Sequence, residues 1–554
     1  MRFLKAILAF ALAAIMLILA WLVPAYLRSI DADVVVLAGR DTTTLVDRGL
    51  GMIQLEQFGP AEMLSATASG AGLPRAEMLQ SAIREFALQN PLLVPWGGYD
   101  PFIAQLLIRE GKLNFTGRTN ALQTMLPRSS RLALLNFLND SRRPGVQQIM
   151  MNRLLTNTVH FPPVRTAAGQ PLEAAILMAA LLHQSDVISP GIRRELESAA
   201  VTANVGKGTQ QVELFYLDLL SMARRLNWVQ LTTVVRRFNS VKEVESFVNL
   251  MTRSGDQLPQ VYSAIMFANA PSQVIGYLTA FGIESLPDVE LAMAGGEGSL
   301  NLLLDRELQM EQRPLRGELV AHPPFDNIYF GFLGIASKMP GAGVYFKYLF
   351  VLIGGFLFAG GIGCLLPPPS EFERSLRLKN FGFARQTVVA VLLMLVTVVL
   401  AEPYLFDENQ PEQPLPRWKF PMVKSPALAQ ISKPIETFMN QYTYAFLIGF
   451  LVVQAILYII CLLRIAEIRK QPISSDLKMK LLENEENMFD SGLYVGLGGT
   501  VVSLVLISVG VSGQTLLMAA YSSTLFGIIF VAILKICHVR PFRRRLILET
   551  EFKG

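Results

Sequence analysis

Only three cysteines and four histidines occur in the 554 residues, and each shortage excludes something. Cys364, Cys461 and Cys537 all sit in or at the ends of apolar runs, so no disulfide framework is open to the polar stretch between residues 29 and 344. Its fold must rest on its own core. His160, His183 and His322 are scattered through that stretch without a partner at metal-ligand spacing, so no metal site is expected. His183, at the end of an apolar helical pattern, reads as a cap or a satisfied core residue. Gly-x-Ser-x-Gly, phosphate-loop and Rossmann fingerprints are missing too, and the stretch has no cysteine nucleophile. Neither an enzyme nor a bound cofactor is expected.

Charge is also scarce. Charged residues make up 17% and hydrophobic ones 51% of the chain, against about 25% charged in an average soluble domain. The balance fits membrane spans joined to one sizeable water-exposed domain. The formal net charge of +5 comes from lysines and arginines gathered beside apolar runs rather than along one stripe, which reads as membrane topology and not as nucleic-acid binding.

The expected fold class is mainly α: a polytopic helical membrane protein of about six spans with a large, mostly helical domain outside. Residues 1 to 28 form an N-terminal anchor, with Arg2 and Lys5 ahead of an apolar run from Leu4 to Leu27 that lacks a small-x-small cleavage site. Residues 29 to 344 form the outer domain. Val34-Val35-Val36-Leu37 reads as a short strand or linker. Helical patterns follow at 76 to 88, 121 to 126, 130 to 138, 172 to 184, 210 to 226 and 241 to 252, most of them opened by Pro, Gly or Ser. The run Ala174 to Leu182 is apolar but too short to span a bilayer, so it is expected to be a buried helix. Ala-Glu-Met-Leu occurs at 61 to 64 and again at 76 to 79, an echo that points to a solenoid-like stack of antiparallel helices. Trp96, Tyr99 and Asp100 beside Gly97-Gly98 read as an aromatic loop packed on the domain, with a groove as the alternative. Gly295-Gly296-Glu297-Gly298 and His322-Pro323-Pro324 read as loops.

Two spans are expected within 345 to 403. The first holds Gly354, Gly355, Gly360, Gly361 and Gly363, residues suited to close packing. Pro367-Pro368-Pro369 stops it, and Arg374, Arg377, Lys379 and Arg385 mark the following loop as cytoplasmic. A Pro-rich external loop is expected over 404 to 443, and a three-helix core over 444 to 538. Gln454 in its first helix needs a protein partner. The charged segment 464 to 491 reads as a solvated helical face. A basic cytoplasmic tail, 539 to 554, follows. Positive-inside counting gives both ends cytoplasmic and places the large domain in the periplasm of a bacterium. The sequon Asn114-Phe115-Thr116 has meaning only in a eukaryotic secretory route.

The chain is organised around the last hairpin. Gly492-Leu493-Tyr494-Val495-Gly496-Leu497-Gly498-Gly499-Thr500 opens one apolar helix, the turn falls at Ser512-Gly513-Gln514, and Ala519 to Gly527 runs back. Helical spacing sets Gly496, Thr500, Ser503 and Gly510 on one face, and Ala520, Thr524, Gly527 and Val531 on the facing one. Such stripes either pack helices closely or line a narrow polar lumen. Between Gly492 and Leu534 there is no Asp, Glu, His, Lys or Arg. Ser and Thr hydroxyls do not exchange protons at neutral pH, so a proton path here needs a carboxylate from elsewhere.

Gly-Leu-Gly-Gly-Thr at 496 to 500, followed by Ser-Ser-Thr-Leu-x-Gly-Ile at 522 to 528, resembles the MotA/TolQ/ExbB proton-channel family. The resemblance is confined to the C-terminal three-helix region. It implies pore-lining roles for Thr500 and Thr524, with Ser503 and Ser523 beside them, and packing roles for Gly496, Gly499 and Gly527. It also implies a homo-oligomeric ring, a pentamer in the family, around a single-span membrane protein whose helix carries an aspartate. The chain departs from the family in its short internal segment, 464 to 491, and in its added external domain, which suits work on a periplasmic envelope component. The expected function is therefore a ring-forming subunit of an ion-driven inner-membrane motor or energy-transducing complex. The alternative is a non-conducting membrane scaffold with a periplasmic docking domain.

Overall fold

The computed structural model describes residues 2–104, 119–365, 381–402, 441–508 and 514–551. The sequon, the basic loop after Pro367, the external loop up to 440 and the turn at Ser512-Gly513 lie outside the described residues. What is described is mainly helical and divides into two compact units: residues 1–31 with 311–554, and residues 32–310. Among the described residues, strands are limited to the three-residue Ser29–Asp31 and Gln309–Glu311.

Three described helices are long and apolar enough to cross a membrane: Phe3–Leu22, Pro340–Leu365 and Tyr521–Thr550. The first belongs to α1 (Arg2–Leu22). It stops short of the expected Leu27 because Pro24 disfavours helix in the residue before it.

The 32–310 unit holds helices α2 (Ala32–Ala38), α3 (Leu45–Gln54), α4 (Phe58–Gly70), α5 (Ala76–Gln89), α6 (Ala121–Met125), α7 (Arg128–Asn139), α8 (Pro144–Met151), α9 (Gln170–Gln184), α10 (Pro190–Asn204), α11 (Thr209–Arg225), α12 (Trp228–Val235), α13 (Val241–Ser254), α14 (Leu258–Phe267), α15 (Pro271–Ala280), α16 (Leu286–Gly295) and α17 (Glu297–Arg306). The six patterned segments are all helices. The strand or linker expected at Val34 to Leu37 is instead the helix α2. Val34 and Val35 are buried, Ser299 donates to the Val35 carbonyl at 2.7 Å, and packing on a helical surface overrides the strand preference of a β-branched run. The Gly295 to Gly298 stretch is a break between helices: Gly296 has φ 119°, open to glycine, and its neighbours continue as α16 and α17.

Helix α9 is the core of this unit. Leu172 and every residue from Ala174 to Leu182 are fully buried, as expected for an apolar run too short for a bilayer. The repeated Ala-Glu-Met-Leu falls on α4 and α5, and both copies bury the same two residues, Ala61 with Leu64 and Ala76 with Leu79. Neighbouring helices stack in sequence, but the stack closes. Helix α2 packs on α16 and α17, and α4 on α14, so the first helices cover the last ones instead of leaving the open ends of a solenoid. Glu213, wholly buried on α11, accepts the backbone N–H groups of Val159, His160 and Phe161 at 2.9, 2.6 and 3.2 Å. A carboxylate placed this way holds a loop that has no regular structure.

In the other unit follow α18 (Pro314–Val320), α19 (Phe325–Lys338), α20 (Pro340–Leu365), α21 (Phe381–Ala401), α22 (Gln441–Lys470), α23 (Ser475–Asn484), α24 (Glu486–Phe489), α25 (Ser491–Ser508), α26 (Gln514–Ile533) and α27 (Arg540–Glu551). Helix α1 packs along α20, and α20 packs on α21. On α1 the alanines turn inward: Ala6, Ala13 and Ala20 are buried at seven-residue spacing, while Leu4, Ile7, Leu8 and Ile15 are exposed. The glycines of α20 make room for other side chains of α1 and for the backbone of α21. A Cβ on Gly361 would stand 2.8 Å from the Phe10 ring, one on Gly354 3.2 Å from Leu17, and one on Gly355 3.0 Å from Cα of Ala390 on α21. Small residues inside and leucines outside is the pattern of helices packed in lipid.

Helix α22 runs beyond Leu463, carrying the first basic residues of the internal segment as far as Lys470. The last helix does not end at the membrane boundary either. From Leu534 to Val539 it widens into a π-helical turn and continues as α27.

Replacing Gly355 by leucine forces α20 and α21 apart. The expected cost is about 1–3 kcal/mol, typical of overpacking, measured as earlier unfolding of the purified protein in a denaturing-detergent titration. Gly341→Leu, where a Cβ meets nothing within 4 Å, is the matched control and should leave the midpoint unmoved.

Candidate functional site

The hairpin site is built from α25 and α26, which lie against each other in antiparallel contact: Gly492 faces Gly527 and Val531, and Gly496 faces Ser523 and Thr524. The approach is backbone to backbone. A Cβ on Gly496 would come within 2.9 Å of the Ser523 carbonyl oxygen, and one on Gly527 within 2.6 Å of the Gly492 carbonyl oxygen. Gly499 sits where a Cβ would meet the Ser523 hydroxyl at 2.5 Å. The expected packing glycines therefore all lie at this contact.

The close approach gathers hydroxyls around one carbonyl. Gly496 O accepts from Thr500 Oγ1 at 3.1 Å, Ser523 Oγ at 3.2 Å and Thr524 Oγ1 at 3.3 Å. The Thr500 and Thr524 hydroxyls are also within bonding distance of each other, and because each has one hydrogen, the one that donates to its neighbour does not donate to Gly496 O at the same time. Ser523 is buried and the two threonines are half-buried, so the node is closed on one side and reachable on the other. Ser503 falls on α25 with its side chain outside the described residues, as does that of Ala520 on α26; Gly510 lies outside them altogether. Gln454 on α22 supplies the partner that its position demanded: its Nε2 donates to Gly492 O at 2.9 Å, which ties the third helix to the mouth of the hairpin.

Below the hairpin the acidic run is partly a solvated face, with Glu483 and Glu486 exposed and Glu485 and Asp490 half-buried. Glu485 pairs with Arg464 at 2.7 Å, Asp490 with Lys535 at 2.7 Å and Glu483 with Arg543 at 2.8 Å. These bonds fold α23 and α24 back between the end of α22 and the last helix. There Leu482 and Phe489 join Cys461, Ile465, Ile468 and Leu534 in one buried apolar cluster. In the π turn, His538 Nε2 meets the Tyr458 hydroxyl of α22 at 3.0 Å.

Sequence reasoning missed a second polar cluster, where α1, α20 and α21 end together. Lys347 on α20 and Glu402 just after α21 pair at 3.3 Å with both side chains almost wholly buried. Lys347 also donates to Ala25 O at 2.8 Å and lies 3.9 Å from the centre of the Tyr26 ring. Glu402 accepts the Tyr348 hydroxyl on one oxygen and the Leu27 N–H, at 2.7 Å, on the other. Nearby, Arg316 of α18 is bonded to Asp31 and to the Tyr26 hydroxyl. Burial works against the Arg316 charge, but Asp31, Tyr26 and Tyr329 together outweigh it and hold the guanidinium protonated. Arg313 donates to Ala401 O at 2.7 Å. The signal was a lone lysine just inside an apolar run, which in lipid calls for a buried counter-charge.

In the other unit, the Trp96 loop is packed: Trp96 is buried, a Cβ on Gly97 or Gly98 would strike Asn227 or the Glu56 carbonyl, and only Tyr99 is exposed. Asp100 caps the next turn by accepting from Phe102 N at 3.0 Å and Ile103 N at 3.2 Å. Burial nevertheless pushes its carboxyl above the usual range. His183 is buried with Nε2 2.6 Å from Glu197 Oε1. Among the described residues, no three His, Cys, Asp or Glu side chains come together as a metal site would require.

Comparison with protein-family models, with curated proteins and with solved structures finds no match.

Truncating Lys347 to alanine leaves Glu402 buried with its positive partner gone. Loss of one member of a buried pair costs about 3–5 kcal/mol, so Lys347→Ala should unfold far earlier in a denaturing-detergent titration. Glu402→Gln, which keeps an acceptor for Tyr348, should lose less.

Proposed function

We propose that this chain is a ring-forming subunit of an ion-driven complex in a bacterial inner membrane. In this reading six helices span the bilayer, and the 32–310 unit stands in the periplasm. The observation that carries the reading is the hydroxyl node around Gly496 O, set between two helices without an ionisable Asp, Glu, His, Lys or Arg from Gly492 to Leu534. Half-buried hydroxyls line a path for water and protons without holding a charge there.

A proton-exchanging group must then come from a second protein. Glu402 is a poor substitute, because both of its oxygens are bonded and its side chain is wholly buried. A single-span partner with an aspartate in its helix, held inside a ring of copies, meets the requirement. The ring is a pentamer by the family resemblance. The apolar outer faces of the hairpin, with Leu497, Val501, Leu504, Leu525 and Ile528 exposed, offer surface both to neighbouring copies and to lipid. Thr500 and Thr524 are the pore residues of this reading, with Ser503 and Ser523 as their neighbours.

One observation favours a packing role instead. The Thr500 and Thr524 hydroxyls bond each other and the Gly496 carbonyl, which is also what a helix contact in a non-conducting scaffold requires.

The two readings part on Thr500→Val with Thr524→Val. The change keeps the shape and removes both hydroxyls. As a pore, the protein should lose ion flux by about tenfold or more, equivalent to at least 1.4 kcal/mol on the barrier. Assembly size should be unchanged. The measurement is flux into vesicles containing the complex purified with its partner, beside native mass spectrometry of the same material. A ring enclosing a smaller Asp-bearing single-span protein, with flux that the double variant abolishes, supports the motor. An intact monomer or dimer without such a partner leaves the scaffold.

A further inference from the structure

The 32–310 unit carries a groove of about 780 Å³ between α10, α11 and α13, a size that accepts a ligand or a side-chain cluster. Helical spacing builds each wall. Leu214, Leu217 and Asp218 fall on one face of α11, Glu245 and Asn249 on one face of α13, and Arg194 on α10. Leu214 is 45% and Leu217 36% exposed, so the α11 wall offers apolar side chains to water.

Its electrostatics are one-sided. Half-buried Asp218 and exposed Glu245 have no hydrogen bond or ion pair among the described residues. The third acid, Glu195, is taken up by the Val241 N–H at 3.0 Å. The one cation in the groove, Arg194, donates through Nε to Pro190 O at 3.2 Å. Partial burial first, and then the negative charge of Glu245, push the Asp218 carboxyl up to about 6. At neutral pH the ionised pair therefore stands uncompensated beside exposed leucines. A group held that way lowers stability, and a cation set between the two carboxylates would remove the penalty.

We propose that this groove docks a polypeptide segment of a partner protein that presents one lysine or arginine between aliphatic residues. The cation seats between Asp218 and Glu245, and its aliphatic neighbours cover Leu214 and Leu217. The site is independent of the ion-conduction reading and stands or falls without it.

The sign of the pH effect follows from the pair. Binding favours the ionised Asp218, so affinity is full above pH 6, falls as pH drops through about 6, and is accompanied by proton release near that pH. The groups facing Asp218 across the groove are Glu245 on α13, and Arg194 and Glu195 on α10.

The test is selection of a random-peptide display library on the full-length protein in detergent. Enriched peptides should share a lysine or arginine flanked by Leu, Ile or Val. Their affinity should fall roughly tenfold or more on the Asp218→Asn, Glu245→Gln double variant, the loss expected for a charge-assisted contact. It should fall again as pH is lowered from about 7.5 to about 5. Glu245→Arg, which places a guanidinium in the groove in cis, should raise the melting temperature and block the same peptides, showing that lost binding is not lost folding. Enrichment of peptides without a cation, binding indifferent to the double variant, or no enrichment at all overturns the assignment. Full competition by spermidine with no need for aliphatic flanks overturns it in favour of a small polycation.

Discussion

Leucine gains nothing by leaving hydrocarbon for another leucine, so helices inside a bilayer are held by how closely their backbones approach. That constraint fits the unit of residues 1–31 and 311–554, which holds the three described helices long and apolar enough to cross a membrane. The alanines of α1 are buried in its packed face, and the glycines of α20 make room for Phe10 and Leu17 of α1 and for the backbone of α21 at Ala390. The same device at the hairpin brings Gly496 against Ser523 and Thr524 so closely that three hydroxyls share one carbonyl. A polar node arises there as a result of glycine packing. The tight contact comes first, and the hydroxyls use the carbonyl it exposes.

The charges obey a related rule. Where they enter the apolar part they are paired at its edge, as in Lys347 with Glu402 and Arg316 with Asp31. Both residue pairs hold the short segments that lead from α1 and toward α20, so the same bonds that neutralise charge also fix where the chain leaves the bundle. On the other side, acids 483 to 490 fold back onto bases of the flanking helices. The 32–310 unit follows the opposite economy. Its core is the apolar run Ala174 to Leu182 of α9, and its buried carboxylate Glu213 is bonded three times over. Asp218 and Glu245, by contrast, have no ion-pair partner among the described residues.

Periodicity made the regular parts legible. Helical spacing in 76 to 88, 172 to 184 and 210 to 226 reappears as α5, α9 and α11, and the crowded glycines of α20 announced close packing. The misreadings have local causes. Val34 to Leu37 carries strand-forming side chains, yet tertiary burial makes it helix. Glu485 and Asp490 look solvated in sequence because their partners Arg464 and Lys535 come from other helices. Lys347 passed unnoticed because hydropathy averages one charge away, and its partner stands 55 residues along the chain. At the hairpin the stripe of Gly496, Thr500, Thr524 and Gly527 was readable, but the carbonyl that joins the hydroxyls was not, since a backbone acceptor has no letter.

The π turn from Leu534 to Val539 joins the return helix of the hairpin to α27 without a loop. A wider turn sets the residues beyond it at a different angle around the axis than an unbroken α-helix would. The turn is also tied sideways: His538 Nε2 meets the Tyr458 hydroxyl of α22, and Lys535 pairs with Asp490, so the widened turn is anchored to its neighbours on two sides.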